Sequence, residues 1–571
     1  MSYDLIIIGG GVNGCGIARD AAIRGMKVLL VEKRDFSSGA TGGCSGMIHG
    51  GARYMLYDIQ TTKKSCVDSG YIQKCAPHML FRIPFLIPVS RRSFASRVMA
   101  EAMETYFEGY DLFQPYKNGK KHTRLNREEV LAIEPGLARS VDGAVTMDEY
   151  GIDPFRLCAA TALSAAEHGA VIRNHTELLT FLRDGDSVTG VRLEDHRTGR
   201  IYEEKAKVVF IACGPWNPDV LAKAGVGLRL RKGKGVHLIL DRRVVNTGIL
   251  CDAADGRQIF IIPHDNGAIV GTTDDDFYGD LDNLTVTEDE IEYLLEGIAR
   301  SFPQVREARV TRVMVGVRPT LWAWHKNEDK LSRDHRIVDH GIRDGARNLL
   351  SMSGGKLAAY RIMSEEAVDA VEAAIGRGHV PCRTHEVPLA GGERELNLSE
   401  LAAKGPLPEF ALGRIHFRHG ARAEKIVEIS QEEPGLQSLV CPCEPVTGAE
   451  IAYACRTEWA SKLSDVRRRT RLGTGPCQGM RCSQAASCIL AREHRLTGAR
   501  QLEELRDFVA NRWKGKFPVL EGEQLAQEEL HQANHYCTLN LTAAVPPAGL
   551  FEEWRRAAVA PESGENLAAH G

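Results

Sequence analysis

Residues 3–32 read YDLIIIGGGVNGCGIARDAAIRGMKVLLVE and decide the fold of the N-terminal part of this 571-residue chain. The apolar run from Tyr3 to Ile8 predicts a buried strand, residues 13–24 predict a helix, and residues 26–31 predict a second strand. Gly9, Gly11 and Gly14 between them form GxGxxG. Such glycines allow a tight turn, close approach of the backbone to a pyrophosphate, and close packing of helix on strand. The order of elements predicts a dinucleotide site.

Glu32 follows the second strand, 18 residues after Gly14. A carboxylate at this position accepts hydrogen bonds from ribose hydroxyls and disfavours a 2'-phosphate. The motif alone does not separate FAD from NAD, and a glycine-rich turn in another α/β fold is the alternative.

A second glycine-rich segment, residues 33–54, reads KRDFSSGATGGCSGMIHGGARY. Glycine, serine and threonine suit a backbone that runs along an extended cofactor and donates N–H groups to it. The segment resembles the FAD-dependent glycerol-3-phosphate dehydrogenases, within the amino-acid-oxidase-like flavoproteins. The resemblance implies FAD, with contacts from residues of this segment, namely Thr41, Gly42, Ser45, His49 and Gly50.

The resemblance continues through four later motifs. They are Cys213-Gly214-Pro215-Trp216, Gly271-Thr272-Thr273-Asp274, Gly316-Val317-Arg318-Pro319 and Ser353-Gly354-Gly355-Lys356-Leu357. Gly214, Gly355 and Lys356 are the implied cofactor contacts. Strands at 235–240, 258–262 and 268–272, the last two forming a hairpin across Asn266-Gly267, predict an antiparallel substrate sheet. The expected fold class is α/β, with a Rossmann-like FAD domain interrupted by this sheet, as in the amino-acid-oxidase and glutathione-reductase folds.

The implied substrate is a phosphorylated polyol, glycerol 3-phosphate, which is oxidised by hydride transfer to FAD. A phosphate dianion requires guanidinium or ammonium donors, and Arg53 and Arg318 are the candidates. Lys356 and Tyr54 are placed near the flavin or the substrate oxygen. His237 is the candidate base, because histidine titrates near neutral pH and the family has a histidine at the matching position. His49 is the alternative base.

Four cysteines near the C-terminus have the spacing of metal ligands. Cys441 and Cys443 form CxC, and Cys477 and Cys482 form CxxxxC after a long gap. Two pairs of thiolates suit a [2Fe-2S] cluster or zinc, and unligated thiols are the third interpretation. The spacing resembles the small helical bacterioferritin-associated-ferredoxin-like (BFD-like) [2Fe-2S] domain. The basic run at 465–471 is interpreted as a solvated helix face, or as a charge that offsets the cluster.

Together the motifs imply a catalytic component of the anaerobic type, which works with B and membrane-associated iron-sulfur C subunits and delivers electrons to menaquinone. The expected domains are the flavoprotein at 1–375, a linker at 376–430, the cluster domain at 431–495 and an extension at 496–571 that is disordered from Ala543 onward. Ala358 and Ala359 replace threonines found in many relatives. Any hydroxyl contact that those threonines make to the flavin or the substrate is therefore missing here. An FAD amine or amino-acid oxidase, and a non-catalytic iron-sulfur module, are the competing functions.

Composition excludes some classes of protein. With 72 Lys and Arg against 75 Asp and Glu, the net charge is -3, and no block of like charge indicates nucleic-acid binding. No signal peptide and no run of about 20 apolar residues is apparent, which predicts a cytoplasmic protein, peripheral at the inner face of the membrane through its partners.

Overall fold

A computed structural model describes residues 2–56, 58–89, 94–323, 331 and 334–541. The strands of these described residues, in chain order, are β1 (Ser2–Ile8), β2 (Val28–Val31), β3 (Leu80–Val89), β4 (Arg124–Asn126), β5 (Gly143–Ile152), β6 (Val171–Arg173), β7 (Thr176–Asp184), β8 (Ser187–Asp195), β9 (Arg200–Ile211), β10 (Leu230–Leu240), β11 (Gly248–Asp252), β12 (Gln258–His264), β13 (Gly267–Gly271), β14 (Asp275–Asp276), β15 (Val310–Leu321), β16 (His335–Asp339), β17 (Leu349–Gly354), β18 (Leu439–Cys441) and β19 (Val446–Thr447).

The α-helices of the same residues are α1 (Val12–Ile23), α2 (Ile59–Cys75), α3 (Phe94–Asp111), α4 (Arg127–Ile133), α5 (Pro154–Glu167), α6 (Asn217–Ala222), α7 (Glu288–Ala299), α8 (His340–Asp344), α9 (Tyr360–Ala374), α10 (Leu398–Lys404), α11 (Glu409–His419), α12 (Ala423–Glu432), α13 (Gly448–Thr457), α14 (Leu463–Thr470), α15 (Ser483–His494), α16 (Gly498–Lys516) and α17 (Gly522–Thr538). None of these helices combines the length and apolar character of a membrane-spanning segment.

The first sheet has the order β16-β17-β9-β1-β2-β6, with the β7–β8 hairpin joined to β9. Pairing is parallel from β17 to β6, and β16 is antiparallel at the edge. The strand residues are apolar on both faces of the sheet, so each face must be covered by other elements. Helices α1, α5 and α9 pack on one face, and the β7–β8 hairpin with α6 packs on the other. The Rossmann-like architecture expected from residues 3–32 is confirmed.

The second sheet has the order β14-β10-β13-β12-β11-β3-β5-β4, and β15 pairs with the other side of β10. Its pairing is antiparallel except between β3 and β11. The predicted hairpin is present as β12 and β13, but its turn is Asp265-Asn266 and not an Asn-Gly turn, because His264 pairs with Gly267; Asp265 has φ +51°. Helix α7 covers one face of this sheet, and the opposite face points toward the FAD domain.

The C-terminal part is helical, and its boundaries differ from the prediction. The expected linker at 376–430 contains α10 and α11 and most of α12, whose apolar side chains share a core with Tyr453 of α13. The linker prediction is therefore wrong, because these amphipathic helices need a core to cover their apolar faces. Within the expected extension, α16 packs through Phe508 around Cys441 and Cys482. The predicted disorder from Ala543 onward lies outside the described residues.

Candidate active site and cysteine cluster

The dinucleotide loop forms a cradle of bare backbone. Gly9 has φ +110°, which favours glycine, and a Cβ on Gly14 would lie 1.9 Å from the Gly9 carbonyl oxygen. A Cβ on Gly11 would meet only the Thr41 hydroxyl, at 3.2 Å, and that hydroxyl accepts from the Val12 amide at 3.1 Å. Gly9, Gly11 and Thr41 border a cavity of about 470 Å³ with Gly214. The cradle fits the dinucleotide part of FAD.

Glu32 lies at the end of this cavity, as the sequence predicted. Its carboxylate oxygens accept from the Gly10 amide at 2.6 Å and the Arg34 amide at 2.9 Å. Burial raises the pKa of Glu32 despite these backbone donors, and each oxygen retains a second lone pair. The site can therefore accept a further hydrogen bond from a ribose hydroxyl.

The second glycine-rich segment lies against the substrate sheet. Gly42 has no room for a side chain, because a Cβ would lie 2.2 Å from the Ser37 carbonyl oxygen. A Cβ on Gly43 would lie 2.7 Å from Cα of Gly316 on β15. Gly42 and Ser45 border a second cavity of about 840 Å³ between this segment and the C-terminal helices. The segment thus separates the two cavities.

His237 lies on β10, opposite Met314 of β15 and Gly271 of β13. It is 1% exposed, and its Nε2 lies 2.8 Å from Oγ of Ser45. Its Nδ1 is buried without a hydrogen-bond partner among the described residues. Burial, with a smaller contribution from Arg318, lowers the pKa of His237 to about 3. The ring is therefore neutral at physiological pH, and its pKa lies well below the near-neutral value that the sequence led us to expect for the base.

Arg318 is held by the predicted Gly271-Thr272-Thr273-Asp274 motif. Its guanidinium donates to Oγ1 of Thr272 at 3.0 Å and to the Thr273 carbonyl at 3.1 Å. Asp274 lies 3.5 Å from Arg318 but 2.8 Å from Arg231, so this carboxylate is shared. Gly235 is required beside it, since a Cβ there would lie 2.6 Å from the guanidinium.

A second group surrounds the His49-Gly50-Gly51 turn. Lys356 donates to the His49 carbonyl at 3.2 Å and lies 5.0 Å from the centre of the Tyr54 ring. Arg53 lies 5.1 Å from the same ring, and the His49 ring is 6.4 Å away. Burial lowers the pKa of Lys356. The structure thus brings Arg53, Tyr54 and Lys356 together, at the opposite end of segment 45–54 from His237 and Arg318.

Gly355 is placed differently from its predicted neighbours. A Cβ there would lie 2.2 Å from Cε of Met363 on α9, so Gly355 is needed for packing of this turn on the helix. The adjacent Gly354 borders the 470 Å³ cavity instead. Within this motif, Ser353 and Gly354 border the cavity.

The four predicted ligand cysteines converge in two pairs. The thiols of Cys441 and Cys482 contact each other, as do those of Cys443 and Cys477. Contact with Cys482 lowers the pKa of Cys441 to about 6, and the same contact raises that of Cys482. Gly475 packs on this loop, since a Cβ there would lie 2.4 Å from Cβ of Cys443. The donor set fits a group held by four sulfurs.

The basic run at 465–471 is buried at a domain interface, and the solvated-face prediction is wrong. Arg469 donates to both oxygens of Asp35 in the FAD segment, at 2.7 and 2.9 Å. Arg471 lies 2.7 Å from Asp265 at the β12–β13 turn, 3.3 Å from Asp153 before α5, and 3.2 Å from Glu444 beside Cys443. These arginines are buried because the carboxylates of other elements neutralise them.

Two family models match this chain, one over the N-terminal FAD part and one over the helical C-terminal part. The family model for FAD dependent oxidoreductases matches residues 4–361, and that for the C-terminal domain of alpha-glycerophosphate oxidase matches residues 382–501. The chain is 34% identical over 537 residues to the A subunit of the anaerobic glycerol-3-phosphate dehydrogenase of Escherichia coli (strain K12), covering 92% of this chain and 95% of that protein. The chain belongs to the FAD-dependent glycerol-3-phosphate dehydrogenase family.

Other relatives agree. The A1 subunit of the anaerobic glycerol-3-phosphate dehydrogenase of Haloferax volcanii is 33% identical over 94% of this chain and 91% of its own. The crystal structure of the glycerol-3-phosphate dehydrogenase from Bacillus halodurans complexed with FAD has a TM-score of 0.73 and 25% identity, covering 91% of this chain and 96% of that one. The resemblance and the fold class stated from the sequence are confirmed, and FAD is supported as the cofactor.

Sequence reasoning missed a buried polar group behind the Gly50 turn. Glu149 and Asp148 interrupt the otherwise apolar strand β5, and Glu149 accepts from the Gly50 amide at 3.1 Å. Lys117, which is fully buried, lies 2.6 Å from Glu149. The signal that could have identified this group is the pair of adjacent carboxylates, Asp148 and Glu149, between apolar residues, because a buried charge needs a partner.

Proposed function

We propose that this protein oxidises sn-glycerol 3-phosphate to dihydroxyacetone phosphate. The observation that carries the proposal is the pairing of a neutral, buried His237 with Arg318 on one face of the substrate sheet, against Ser45 of the FAD segment. A proton acceptor beside a cation suits a substrate that carries both a hydroxyl and a phosphate. The names of the relatives support the same substrate.

Each residue of the site has a proposed role. Arg318, beside His237, and Arg53, beside Tyr54 and Lys356, are the two candidates for binding the phosphate, and Lys356 with Tyr54 is proposed to orient the substrate oxygen. His237 is the proposed acceptor of the hydroxyl proton, since its imidazole is neutral and can take up a proton. FAD bound in the cleft would supply the hydride acceptor. It would be held by residues of the cradle and the two glycine-rich segments, namely Gly9, Gly11, Gly14, Glu32, Thr41, Gly42, Ser45, His49, Gly50, Gly214, Gly355 and Lys356.

Cys441, Cys443, Cys477 and Cys482 are proposed to hold a [2Fe-2S] cluster in a BFD-like domain. Four sulfurs around one zinc ion lie about 3.8 Å apart, since Zn–S bonds are about 2.3 Å. Among the described residues, no three of these sulfurs lie within 4.8 Å of one another. Two separate thiol pairs favour a two-metal cluster over a single ion.

The cluster would pass electrons one at a time toward a partner. The E. coli relative is named as one subunit of its enzyme, which implies other subunits. We propose that this chain is the catalytic A component, and that B and membrane-associated iron-sulfur C subunits receive the electrons and deliver them to the quinone pool. On this proposal the protein is cytoplasmic and reaches the inner face of the membrane through those partners.

The test of the oxidation is the visible spectrum of the purified protein under argon. We expect that glycerol 3-phosphate bleaches the flavin absorption, whereas glycerol, glycine and sarcosine do not. Glycerol lacks only the phosphate, so it tests the cationic pocket directly. Bleaching by glycine or sarcosine, with none by glycerol 3-phosphate, would reassign the protein to the amine oxidases.

The test of the cluster is Cys443→Ser, with Cys488→Ser as the matched control. Cys488 is exposed and lies outside the four-cysteine pattern. We expect Cys443→Ser to lose iron while it retains flavin, and Cys488→Ser to retain both. Full iron content in Cys443→Ser would remove this cysteine from the ligand set.

A further inference from the structure

Four side chains hold the backbone of residues 48–51, the turn that precedes Arg53 and Tyr54. Each makes one hydrogen bond: Ser69 Oγ to the Ile48 carbonyl at 2.8 Å, Lys356 Nζ to the His49 carbonyl at 3.2 Å, Glu149 Oε2 from the Gly50 amide at 3.1 Å, and Thr62 Oγ1 to the Gly51 carbonyl at 3.1 Å. Consecutive residues of an irregular segment are thus fixed individually. Such a turn is held in one position at the site.

The turn is also packed on both sides without spare room. A Cβ on Gly50 would lie 2.2 Å from the Tyr110 hydroxyl and 2.4 Å from the Cys66 thiol. Gly51 has φ +79°, and a Cβ there would lie 2.6 Å from Nζ of Lys356. Tyr110 therefore bounds one side of the turn, and Lys356, which is bonded to the His49 carbonyl, lies on the other.

Glu149 is the charged group on the Tyr110 side. It is 1% exposed, and its carboxylate accepts from Lys117 at 2.6 Å and from the Tyr110 hydroxyl at 2.8 Å. Lys117 also donates to the Asp148 carbonyl at 2.7 Å. A buried ion pair can often be replaced by apolar side chains without loss of stability. Stability alone therefore does not account for Glu149, whereas its bond to the Gly50 amide is specific to this turn.

The pair also sets the electrostatic environment of Lys356. Burial lowers the pKa of Lys356, and Tyr54, Cys66 and Glu149 each act to raise it. Lys117 acts in the opposite sense. These groups come from the turn, α2, β5 and the segment after α3, which surround the ammonium group. The two members of the Glu149–Lys117 pair thus have opposite electrostatic effects on Lys356.

We propose that Glu149 is a positioning residue of the active site: it fixes the Gly50 amide, and through the His49-Gly50-Gly51 backbone it fixes the position of Lys356, while Lys117 holds the carboxylate in place. The proposal rests on the proposed function for the role of Lys356 toward the substrate. It extends that function to a pair of residues that do not touch the substrate.

The kinetic test uses Glu149→Gln, Lys117→Met and the double variant in the full-length, flavin-loaded protein. We expect Glu149→Gln to raise the KM for glycerol 3-phosphate about tenfold, the size of replacing a charge-assisted hydrogen bond to the Gly50 amide by a weaker neutral one, with a smaller change in kcat. The alkaline limb of kcat/KM should move to lower pH in Glu149→Gln, because Lys356 then loses its proton more readily. It should move to higher pH in Lys117→Met, and the double variant should fall between the two.

A second measurement does not depend on turnover. Hydrogen exchange of the peptide that contains Gly50 should speed up in Glu149→Gln, whereas exchange in β1 stays as in the unmodified protein. Tyr110→Phe provides a milder variant, since it removes one bond to Glu149 and leaves the Gly50 amide bonded. Should Glu149→Gln fail to fold, Tyr110→Phe and Lys117→Met still give the exchange rates and the pH profiles.

Two results would overturn the proposal. One is unchanged exchange at Gly50 in Glu149→Gln or, if that variant does not fold, in Lys117→Met, which releases the carboxylate from its ammonium partner. The other is an alkaline limb that moves in the same direction in Glu149→Gln and Lys117→Met, as a general loss of stability would produce. If the unmodified protein does not oxidise glycerol 3-phosphate, the proposed function fails separately, and the exchange experiment still decides whether Glu149 fixes the turn.

Discussion

Two sets of buried or partly buried cations in this molecule are partnered differently. At the interface with the C-terminal helices, Arg469 and Arg471 are bonded to carboxylates from other elements. In the pocket, Lys356 donates to a backbone carbonyl, and Arg318 donates to Thr272 and Thr273 while it shares Asp274 with Arg231. No carboxylate lies within ion-pair distance of Lys356 among the described residues.

The difference indicates what each set does. A cation that is neutralised by carboxylates holds structural elements together. Its removal leaves a buried carboxylate unpaired. In the second set, Lys356 is bonded to a backbone carbonyl, and the carboxylate near Arg318 is shared with Arg231, so these cations are less fully neutralised than those of the first set. We therefore expect substitutions in the first set to change stability, and substitutions in the second set to change the affinity for an anionic substrate.

Arg469→Met should have the largest effect, a loss of about 3 kcal/mol in the free energy of unfolding, because buried Asp35 loses its bidentate partner and keeps Arg468, at 3.3 Å, as its remaining arginine. Urea unfolding of the flavin-loaded protein measures it. The KM of the folded fraction should not change. The matched control is Asp35→Asn with Arg469→Met, which should recover much of the loss. A raised KM with an unchanged free energy of unfolding would show that Arg469 acts on substrate binding and not on stability.

Arg318→Ala should raise the KM for glycerol 3-phosphate about 100-fold, which corresponds to about 2.7 kcal/mol, because a charge-assisted contact to the phosphate is lost. Steady-state kinetics with an artificial acceptor dye measures it, and flavin content should change little. Arg231→Gln is the control for the shared Asp274. Unchanged kinetics would remove Arg318 from the phosphate site.

His78→Phe should reduce the dependence of stability on pH by about 2 kcal/mol between pH 7 and pH 5. Burial lowers the pKa of His78 to about 3, and neither ring nitrogen has a hydrogen-bond partner among the described residues. In the unfolded chain, His78 binds a proton near pH 6.5, whereas in the folded protein it stays neutral down to about pH 3. The free energy of unfolding therefore falls as the pH falls through this window. Thermal unfolding of both proteins at the two pH values measures the difference. If both proteins lose the same stability between pH 7 and pH 5, a group other than His78 determines the pH dependence.

Ala358→Thr should have the smallest effect, a stability loss of about 1 kcal/mol and a KM within about threefold of the original. Ala358 is 1% exposed and packs among apolar side chains near Lys356. A hydroxyl there would enter that core. A large change in substrate preference would instead place residue 358 in the pocket.

The cradle could be predicted from the sequence because its residues are local. Gly9, Gly11 and Gly14 act through backbone geometry that one turn determines, and Glu32 ends the adjacent strand. The prediction of a linker at 376–430 missed three helices. Short helices such as α10 are stabilised mainly by the core that they cover, so their own sequence predicts them only weakly. The burial of Arg469 could not be predicted either, since its partner, Asp35, lies 434 residues away in the chain.

Arg471 joins three carboxylates that belong to the FAD domain, the substrate sheet and the cysteine loop. A protein cut after residue 375 would leave Asp153 and Asp265 without this guanidinium, and the separated C-terminal piece would expose a cation that was previously covered. The two halves are therefore not interchangeable modules. A C-terminal region transplanted from a relative would need an arginine here and matching acids on the recipient, so the junction itself limits which chimeras can assemble.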